Sequence, residues 1–210
     1  MMCATASYLN ESSDTVTICT PRLVRHQLVN PSELHVRASL ILAVVMFGAF
    51  SGLARSAGSA DAETVSRLSQ SKLTLVEGIR QAAKTQGAPI SAKFEFEDGK
   101  FWLSVYTAKA GMEADAEHNT LLEVKGEANA SAWKPNVEVF EDKEHLTRSA
   151  MQLTLLQLSR MDLVAVVEKA AAAGKGTPYS AIPAVKNGKP VVTVKFATPD
   201  GSSHSVDVAL

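Results

Sequence analysis

The chain has 210 residues, of which 46% are apolar and 20% are charged, and its formal net charge is -1. This composition is typical of a globular protein and excludes a fibrous or intrinsically disordered chain. The near-neutral charge gives no electrostatic reason to expect nucleic acid as a partner, because such binding needs concentrated Lys and Arg opposite phosphates. A strongly acidic ligand is equally unsupported.

The N-terminal part of the chain is predicted to direct export. An apolar stretch, ASLILAVVMFGAFSGL at 38–53, follows Arg37 and precedes the small-residue run ARSAGSADA. The stretch is shorter than the roughly 20 residues of a membrane span and Arg55 soon interrupts it, so we favour a cleaved secretory signal over a retained anchor. The A-x-A pattern predicts cleavage after Ala62, with Ala60 as the second choice. We therefore expect a periplasmic or secreted protein, with membrane contact only through this segment if it stays uncleaved.

Residues 1–35 form an unusually long polar leader for a signal peptide, which raises the alternative of a non-Met start at Val36. Both cysteines, Cys3 and Cys19, lie in this leader. The chain after the signal therefore has no disulfide and no thiol chemistry, and its stability must come from a packed core. No Cys follows the apolar stretch, which argues against lipid attachment.

An internal repeat dominates the rest of the sequence. SKLTLV at Ser71 aligns with SRMDLV at Ser159 at an offset of 88 residues, and from Pro89 and Pro178 onward the offset is 89. One inserted residue in the loop at 174–176 explains the change. Because this alignment extends over a helix, a loop and a hairpin, we predict that the sequence contains two copies of one structural unit.

Each copy contains a predicted amphipathic helix with its own start and stop signals. Thr74 and Asp162 are N-cap residues, and Thr74 with Glu77 forms a capping box. Apolar residues then recur at helical spacing until Gly87 and Gly174 end the two helices. Another amphipathic helix is predicted ahead of the second copy, within 141–160, and its shortened counterpart lies around Val65 and Leu68.

A β-hairpin follows each helix. The dipeptides Asp98-Gly99 and Asn187-Gly188 accept the positive φ angles of a two-residue type I′ turn. The register that follows from the first turn gives the hairpin one apolar face, which we expect to be the core. This face carries Phe94, Phe96, Phe101, Leu103 and Val105.

The same alternation sends Trp102, Ser104 and Tyr106 outward, onto a face that is otherwise polar and carries Lys93 and Glu95. Exposed aromatic side chains anchor many protein interfaces, because they remove much apolar area from water at low entropic cost. Trp102 and Tyr106 are therefore the predicted partner-binding residues. The alternative is that the 141–160 helix or the segment around Trp133 covers them.

A third strand completes each copy, around Leu122 in the first and around Val206 in the second. Helices segregated from antiparallel strands define an α+β fold, here two tandem repeats of helix(-helix) plus three-stranded antiparallel sheet. We place the leader and signal peptide at 1–62 and the two units at 63–130 and 131–210. The strand-like segment at 137–140 could pair with either unit.

No motif in the sequence specifies a reaction or a cofactor. The loop AGKGT at Ala173 lacks the glycine spacing of a phosphate-binding loop, and its Lys precedes Gly rather than Ser or Thr. Ser203, His204 and Asp207 have the residue types of a nucleophilic triad, but one short strand cannot arrange them as nucleophile, base and orienting group. We therefore predict a protein that is not an enzyme and uses no cofactor.

Metal-binding patterns are incomplete. The histidines after the signal, His118, His145 and His204, are far apart in sequence, so a shared metal site would require them to converge. The acidic run at 112–118 could hold a hard cation weakly, but it lacks the glycine and the ligand spacing of a calcium loop. We therefore expect solvated or structural histidines and a solvated acidic hairpin tip, and we assign no metal ligand.

Both copies have a sequence pattern that resembles the PepSY family. In the first copy LVEGIRQAAKTQG precedes AKFEFEDGKFWLSV, and in the second DLVAVVEKAAAAG precedes KNGKPVVTVKF and the ending D-G-x-x-x-x-V-D-V at Asp200. PepSY units run as a helix, a Gly-bounded loop, strands around an Asp-Gly or Asn-Gly turn and an apolar third strand. The long acidic loop before Asn119 departs from that pattern. The tandem arrangement is also similar, more distantly, to the beta-lactamase-inhibitory protein fold.

The resemblance implies an exported or membrane-associated protein. PepSY units occur in propeptides of secreted metalloproteases, where inhibition or chaperoning of a peptidase has been proposed. By analogy of fold alone, we expect a non-enzymatic protein-binding module that modulates or inhibits a separate envelope or secreted peptidase. The alternative is a periplasmic protein that binds a small ligand or metal ion in the acidic loop or in the cleft between the units.

Overall fold

The structure, a computed structural model, describes residues 57–210 and has an α+β fold. The predicted leader with Cys3 and Cys19, the alternative start at Val36 and the apolar stretch at 38–53 lie outside the described residues. The described elements, in chain order, are α1 (Ala57–Arg67), a 3₁₀ turn (Leu68–Gln70), α2 (Leu75–Gln86), β1 (Ala88–Glu97), β2 (Lys100–Ala108), β3 (Leu121–Glu127), β4 (Asn136–Val139), α3 (Lys143–Ser159), α4 (Leu163–Ala173), β5 (Thr177–Lys186), β6 (Lys189–Ala197) and β7 (Ser203–Ala209).

The helix boundaries predicted from capping residues are confirmed. The Glu77 amide donates to Thr74 Oγ1 at 3.2 Å, and the Thr74 amide donates to Glu77 Oε2 at 2.7 Å, which completes the capping box of α2. Asp162 caps α4 in the same way through its side chain. Gly87 and Gly174 follow the last residues of α2 and α4.

Both hairpin turns are also confirmed. Asp98 and Gly99 have φ angles of 51° and 77°, and Asn187 and Gly188 have φ angles of 52° and 74°. Positive φ at both central positions is the signature of a type I′ turn, whose twist matches that of the flanking strands. The pairing of β1 with β2 then follows the predicted register, with Phe94 opposite Leu103.

All seven described strands belong to a single antiparallel sheet with the order β4-β3-β2-β1-β5-β6-β7. The sheet is continuous because β1 pairs with β5, through Ala92 with Ala181 and Lys93 with Ser180. The segment predicted at 137–140 forms β4, which pairs with β3 and lies at one edge of the sheet. The sequence left open whether there were one or two sheets, because strand pairing between distant segments has no local signal.

One face of the sheet carries the main apolar core, under α2 and α4. Gly78 of α2 lies so close to β2 that a Cβ there would be 2.1 Å from Leu103 Cδ2. Gly174, at the end of α4, similarly lies against the Phe196 ring of β6. The core face expected from strand alternation is therefore confirmed, and its buried members include Phe94, Phe101, Leu103, Val105, Val194 and Phe196.

The opposite face is less exposed than the sequence suggested. Helix α3 packs over it, and the Ser91 hydroxyl of β1 donates to Gln152 Oε1 of α3 at 2.9 Å. Ser104, which we expected to point outward, is fully buried. Strand alternation assigns a side chain to a face of the sheet, but it does not tell which face a distant helix will cover.

The first helix contacts strands from both halves of the sheet. Asp61 of α1 forms an ion pair of 2.6 Å with Lys195 of β6, and Thr64 Oγ1 accepts a hydrogen bond from the Phe96 amide at 3.2 Å. Both predicted cleavage positions, Ala60 and Ala62, fall within α1.

Within residues 57–210 no single helix is long and apolar enough to cross a membrane. Helices α3 and α4 reach that length and apolarity only together, and a bend of 79° separates them.

Candidate functional site

Trp102 and Tyr106 lie on the same face of β2, four residues apart. At the rise of a β-strand this spacing separates them by about 13 Å, so they do not form one contiguous patch. Trp102 pairs with Glu127 of β3, and Tyr106 pairs with Glu123 of the same strand. The surroundings of the two side chains differ.

Trp102 is half-buried and lies between two lysines. The Nζ atoms of Lys100 and Lys125 are 5.3 Å and 5.4 Å from the centroid of its ring. Both distances are within the range of a cation–π interaction, which is worth about 0.5–1 kcal/mol at an exposed site. The indole N–H donates to the Glu97 carbonyl at 3.3 Å. The ring is thus held in one orientation while part of it stays in contact with solvent.

A groove of about 350 Å³ lies beside Trp102, which we call the Trp102 groove. Its lysines are Lys100, Lys125 and Lys134, and its wall also includes Glu127, Asn136, Gly126 and the segment around Ala130 and Ala132. Lys100 and Lys125 are neutralised by Glu127 and Glu97, each at 2.9 Å. Within the described residues Lys134 has no ion-pair partner, so the groove keeps an excess of positive charge.

Trp133 does not cover Trp102. Gly126 pairs with Leu103, so a side chain at Gly126 would point toward the core face. A Cβ there would be 2.6 Å from Trp133 Nε1, which places the Trp133 indole on the face opposite to Trp102. Trp133 Nε1 is itself buried without a hydrogen-bond partner among the described residues.

Next to Trp102, a partly buried network of charged and polar side chains is centred on Glu95. Glu95 contacts Lys93, accepts a hydrogen bond from the Ser104 hydroxyl at 2.9 Å and lies 3.6 Å from Lys125. Burial by itself raises the pKa of Glu95, but the Lys93 ammonium, the Ser104 hydroxyl and Lys125 together hold that pKa below its ordinary value. From the sequence we expected Glu95 on an outward, solvated face of the strand. The correction is that only 21% of the Glu95 side chain is exposed, because it lies among Lys93, Ser104 and Lys125 of its own and neighbouring strands.

Tyr106 lies under the start of α3. Its ring stacks on Phe140 at 5.4 Å, and Phe140 stacks in turn on His145 of α3 at 5.2 Å. Burial, together with the carboxylates of Glu123 and Glu95, raises the pKa of the Tyr106 hydroxyl far above its ordinary value, so the hydroxyl stays protonated. The 141–160 helix thus covers much of Tyr106, while Trp102 stays beside an open groove.

The histidines do not converge. His118 contacts Asp115 at 2.8 Å, His145 contacts Asp142 at 2.7 Å, and His204 stacks on Phe196 at 5.3 Å. In the part of the chain that the structure describes, no three His, Cys, Asp or Glu side chains are grouped closely enough to hold a metal ion.

The residues of the apparent triad lie apart on β7. Ser203 and Asp207 share one face of the strand, and His204 points to the other. The Asp207 carboxylate accepts hydrogen bonds from Lys186 at 2.7 Å and from Thr193 at 2.8 Å. It therefore neutralises a lysine instead of orienting the histidine.

The acidic loop has an internal organisation that the sequence did not reveal. The Asn119 amide donates to the carbonyls of Gly111 and Ala114, at 2.9 Å and 3.1 Å. Gln157 of α3 donates to the Met112 and Ala114 carbonyls, at 3.0 Å and 2.8 Å. These bonds occupy carbonyl oxygens that a hard cation would use as ligands. No sequence pattern identifies Gln157, because it is distant in the chain and lies on a helix of mixed composition.

A second concave site lies between this loop and the turn that joins α3 to α4. It is a cleft of about 560 Å³ with Glu113, Gln157, Arg160 and Asp162 as its polar side chains. Its apolar lining residues are Pro89, Met112, Leu156, Met161 and Leu163. Pockets that bind small molecules have volumes of about 300–1,000 Å³ and this mixture of apolar walls with a few polar groups.

Comparisons of the chain with protein-family models, with curated proteins and with solved structures found no match. The resemblance to the PepSY family therefore depends on the helix, loop and hairpin motifs quoted above.

Proposed function

We propose that the chain is an exported, non-enzymatic protein of two tandem PepSY-like units, which binds another envelope or secreted protein through the Trp102 groove. The observation that carries the proposal is the position of Trp102, half-buried between two lysines beside an open groove. A peptidase is the specific partner that the PepSY resemblance suggests, by analogy of fold alone.

Matching backbone features support the tandem arrangement. A Cβ at Gly87 would be 2.2 Å from the Ala108 carbonyl oxygen, and a Cβ at Gly176 would be 2.2 Å from the Ala197 carbonyl oxygen. Both glycines have positive φ, at 90° and 110°. The two contacts are separated by the 89 residues of the sequence offset, as expected if one unit had been duplicated.

The irregularities of the two hairpins match as well. The register of β1 with β2 shifts between Pro89 and Ser91, and that of β5 with β6 shifts between Pro178 and Ser180. Such a shift is typical of a β-bulge, in which one strand has an extra residue opposite its partner. Its presence at equivalent positions supports a common origin of the two hairpins.

The chemistry of the Trp102 groove favours an acidic partner surface. Trp is among the residues that contribute most to binding when a partner shields them from water. Lys134 is available to a carboxylate of the partner, since it has no ion-pair partner within residues 57–210. Complementary charge speeds association and fixes the orientation of the two proteins. In this proposal Trp102 is the anchor, and Tyr106 contributes by fixing α3 against the sheet.

The test is affinity capture from the exported protein fraction of a cell that expresses the chain. Trp102→Ala is compared with wild type and with Val185→Ala, which shortens an apolar side chain that is 53% exposed on another hairpin. We expect wild type and Val185→Ala to recover the same protein, and Trp102→Ala to weaken its binding at least about tenfold. Recovery of no protein, or equal recovery by Trp102→Ala, would contradict the proposal.

A second candidate function, binding of a small ligand, is favoured by the 560 Å³ cleft at Met161. Native mass spectrometry of the purified protein, with elemental analysis for metals, separates the two candidates. Protein binding predicts the mass of the empty chain, and ligand binding predicts a bound species. Met161→Arg, which would fill the cleft, should then abolish the bound species and leave capture through Trp102 unchanged.

A further inference from the structure

The two outer edges of the sheet differ in how they are protected. At one edge β4 has only four residues, follows Pro135 and carries Glu138. At the other edge β7 has seven residues, with no Pro and no Lys among them. Proteins protect a free sheet edge with short strands, prolines and charged side chains, because an open edge pairs readily with another chain. The β4 edge has these features, whereas β7 carries a single charged residue, Asp207.

The charge of Asp207 does not guard the outer edge of β7. Its carboxylate accepts hydrogen bonds from Lys186 of β5 at 2.7 Å and from Thr193 of β6 at 2.8 Å. Both strands lie on the inner side of β7 in the strand order. The carboxylate is therefore directed toward the middle of the sheet, where the lysine neutralises it.

Alternate residues of β7 present their backbone groups to the outer edge. The Leu210 amide donates to the Pro190 carbonyl at 3.2 Å, and the Thr198 amide donates to the Ser202 carbonyl at 2.9 Å. Residues that point to one neighbouring strand alternate with residues that point away, so the even-numbered residues of β7 face β6. The residues whose N–H and C=O groups point outward are Ser203, Ser205, Asp207 and Ala209. We call these backbone groups the β7 edge, and among residues 57–210 no further strand pairs with it.

Strands β3 and β7 hold matching places in the sheet. Each is antiparallel to the second strand of a hairpin with a type I′ turn, and each begins opposite the last residue of that strand. Leu121 is opposite Ala108 in the first case, and Ser203 is opposite Ala197 in the second. The two strands can therefore be compared position by position.

The outer edge of β3 is occupied by β4. The Leu121 carbonyl accepts a hydrogen bond from the Phe140 amide at 3.1 Å, and four further residue pairs follow. Val137 of β4 lies opposite Val124, which is only 1% exposed. Val206, the counterpart of Val124 on β7, has no such neighbour among the described residues and stays partly exposed. The fold thus shows on β3 what kind of segment an edge of this form accepts.

We propose that the β7 edge binds an extended segment of another protein as an added antiparallel strand, in the way that β4 adds to β3. In the matching register the partner residue opposite Val206 takes the place of Val137, and the one opposite His204 takes the place of Val139. Both positions are on the core side of the sheet, so the partner segment has apolar residues at alternate positions. Opposite Asp207 it has an uncharged or basic residue, because like charges directly opposite each other destabilise a sheet.

The β7 edge is separate from the Trp102 groove. Three strands, β1, β5 and β6, lie between β7 and β2. At the spacing of neighbouring strands this separates β7 from β2 by about 19 Å. The inference therefore does not depend on the function proposed for the Trp102 groove, and its tests leave that groove unchanged.

A synthetic peptide with the sequence of residues 134–141, KPNVEVFE, is the direct probe, because it contains β4. It is added to the purified full chain at up to about 5 mM, since so short a strand binds weakly, and NMR follows the hydrogen exchange of single amides. The outward Ser205 and Asp207 amides should exchange at least about tenfold more slowly at saturation, and the Val208 amide should be unaffected. A peptide of the same composition with its two valines adjacent should slow neither. Absence of slowing with KPNVEVFE, or equal slowing with both peptides, overturns the proposal.

N-methylation of the peptide tests the backbone pairing without changing the protein. The Phe140 amide points toward the strand that β4 pairs with, so the Glu138 amide does too and the Val137 amide points away. N-methylation at Glu138 should therefore raise the dissociation constant of the peptide at least about tenfold, and N-methylation at Val137 should change it by less than about twofold. Equal effects at the two positions would mean that the peptide does not add as a strand in this register, which overturns the proposal.

Substitution of Ser205 tests the site on the protein. Ser205→Pro removes an outward N–H and no hydrogen bond of the ladder between β6 and β7, whereas Ser205→Ala keeps that N–H. Ser205→Pro should abolish binding of KPNVEVFE, and Ser205→Ala should bind it as wild type does. Binding that survives in a folded Ser205→Pro chain overturns the assignment to β7. If urea denaturation shows that Ser205→Pro does not fold, the N-methylated peptides decide the question.

The same exchange measurement without peptide identifies other occupants of the β7 edge. In the full chain alone the Ser205 and Asp207 amides should exchange rapidly at every protein concentration. Slow exchange at all concentrations would mean that residues 1–56 already cover the edge, and protection that grows with concentration would mean that a second copy does. Either result overturns the proposal of a separate partner protein.

Discussion

Gly87 lies directly against the carbonyl oxygen of Ala108, the last residue of β2: a Cβ atom on Gly87 would be 2.2 Å from that oxygen. Gly87 also has a φ of 90°, a conformation that residues with a side chain rarely adopt. The end of α2 and the start of β1 can therefore approach the neighbouring strand only because this residue has no side chain.

Gly87→Ala should destabilise the protein strongly. The positive φ alone costs about 1–3 kcal/mol, and the contact with a backbone oxygen cannot relax by a rotamer change. Gly111→Ala is the control, since Gly111 has a φ of 83° but no atom near its missing Cβ. Urea denaturation should show a larger loss for Gly87→Ala than for Gly111→Ala. Equal losses would show that the approach to Ala108 is unimportant.

The capping box of α2 should make stability depend on pH. The Thr74 amide and the Thr74 hydroxyl donate to Glu77 and lower the pKa of Glu77 below its ordinary value of 4.5. A lowered folded-state pKa means that the stabilisation is fully present above pH 4.5 and is lost as the pH falls below it. Thr74→Ala should cost about 1 kcal/mol at neutral pH. The same substitution at Thr85, outside the box, should have little effect, and a loss for Thr74→Ala that does not shrink in acid would count against the box.

Glu95 should also make the free energy of unfolding depend on pH. Its pKa is also lowered from 4.5, so the sign is the same: its contribution is present above that pH and is lost on acidification. Glu95→Gln should lower the free energy of unfolding by about 1 kcal/mol at neutral pH and by less in acid. Glu127→Gln, in the more exposed pair with Lys100, should change it by well under about 1 kcal/mol. The prediction fails if denaturation curves give both variants the same loss.

If the predicted signal is removed on export, the ion pair between Asp61 and Lys195 should report where the chain is cut. Cleavage after Ala60 keeps Asp61, and cleavage after Ala62 removes it. Lys195→Met should therefore lower the free energy of unfolding by up to about 1 kcal/mol only in a chain that retains Asp61. N-terminal sequencing establishes the cleavage position, and thermal denaturation of the two proteins measures the cost. A cost of that size in a chain that begins after Ala62 would contradict this role of the pair.

Much of the local structure could be predicted because its causes are local. Asp98-Gly99 specifies a type I′ turn by backbone sterics, and that turn fixes the pairing of Phe94 with Leu103 several residues away. Thr74 likewise specifies the start of α2 through hydrogen bonds within one turn of helix. Such features depend on neighbours in the sequence and on no other part of the fold.

What could not be predicted depends on contacts between distant segments. Ala92 and Ala181 pair across the centre of the sheet, and Gln152 of α3 reaches Ser91 of β1, without any pattern in the sequence that links them. For the same reason strand alternation placed Trp102 and Tyr106 on one face correctly, but could not tell that Phe140 and α3 would cover Tyr106 alone. The 560 Å³ cleft is formed by three stretches of chain, at 88–89, 112–113 and 156–163. The sequence predicted only that a ligand could bind in the acidic loop or between the units, and it did not identify these lining residues.

The joint between β1 and β5 has a mechanical consequence. Only Ala92 with Ala181 and Lys93 with Ser180 pair across it, whereas β1 with β2 and β5 with β6 are paired along almost their whole lengths. Under a stretching force the contact between β1 and β5 should separate first, because it has the fewest paired residues. The chain would then divide at the centre of the sheet into two halves, each with its hairpin still paired.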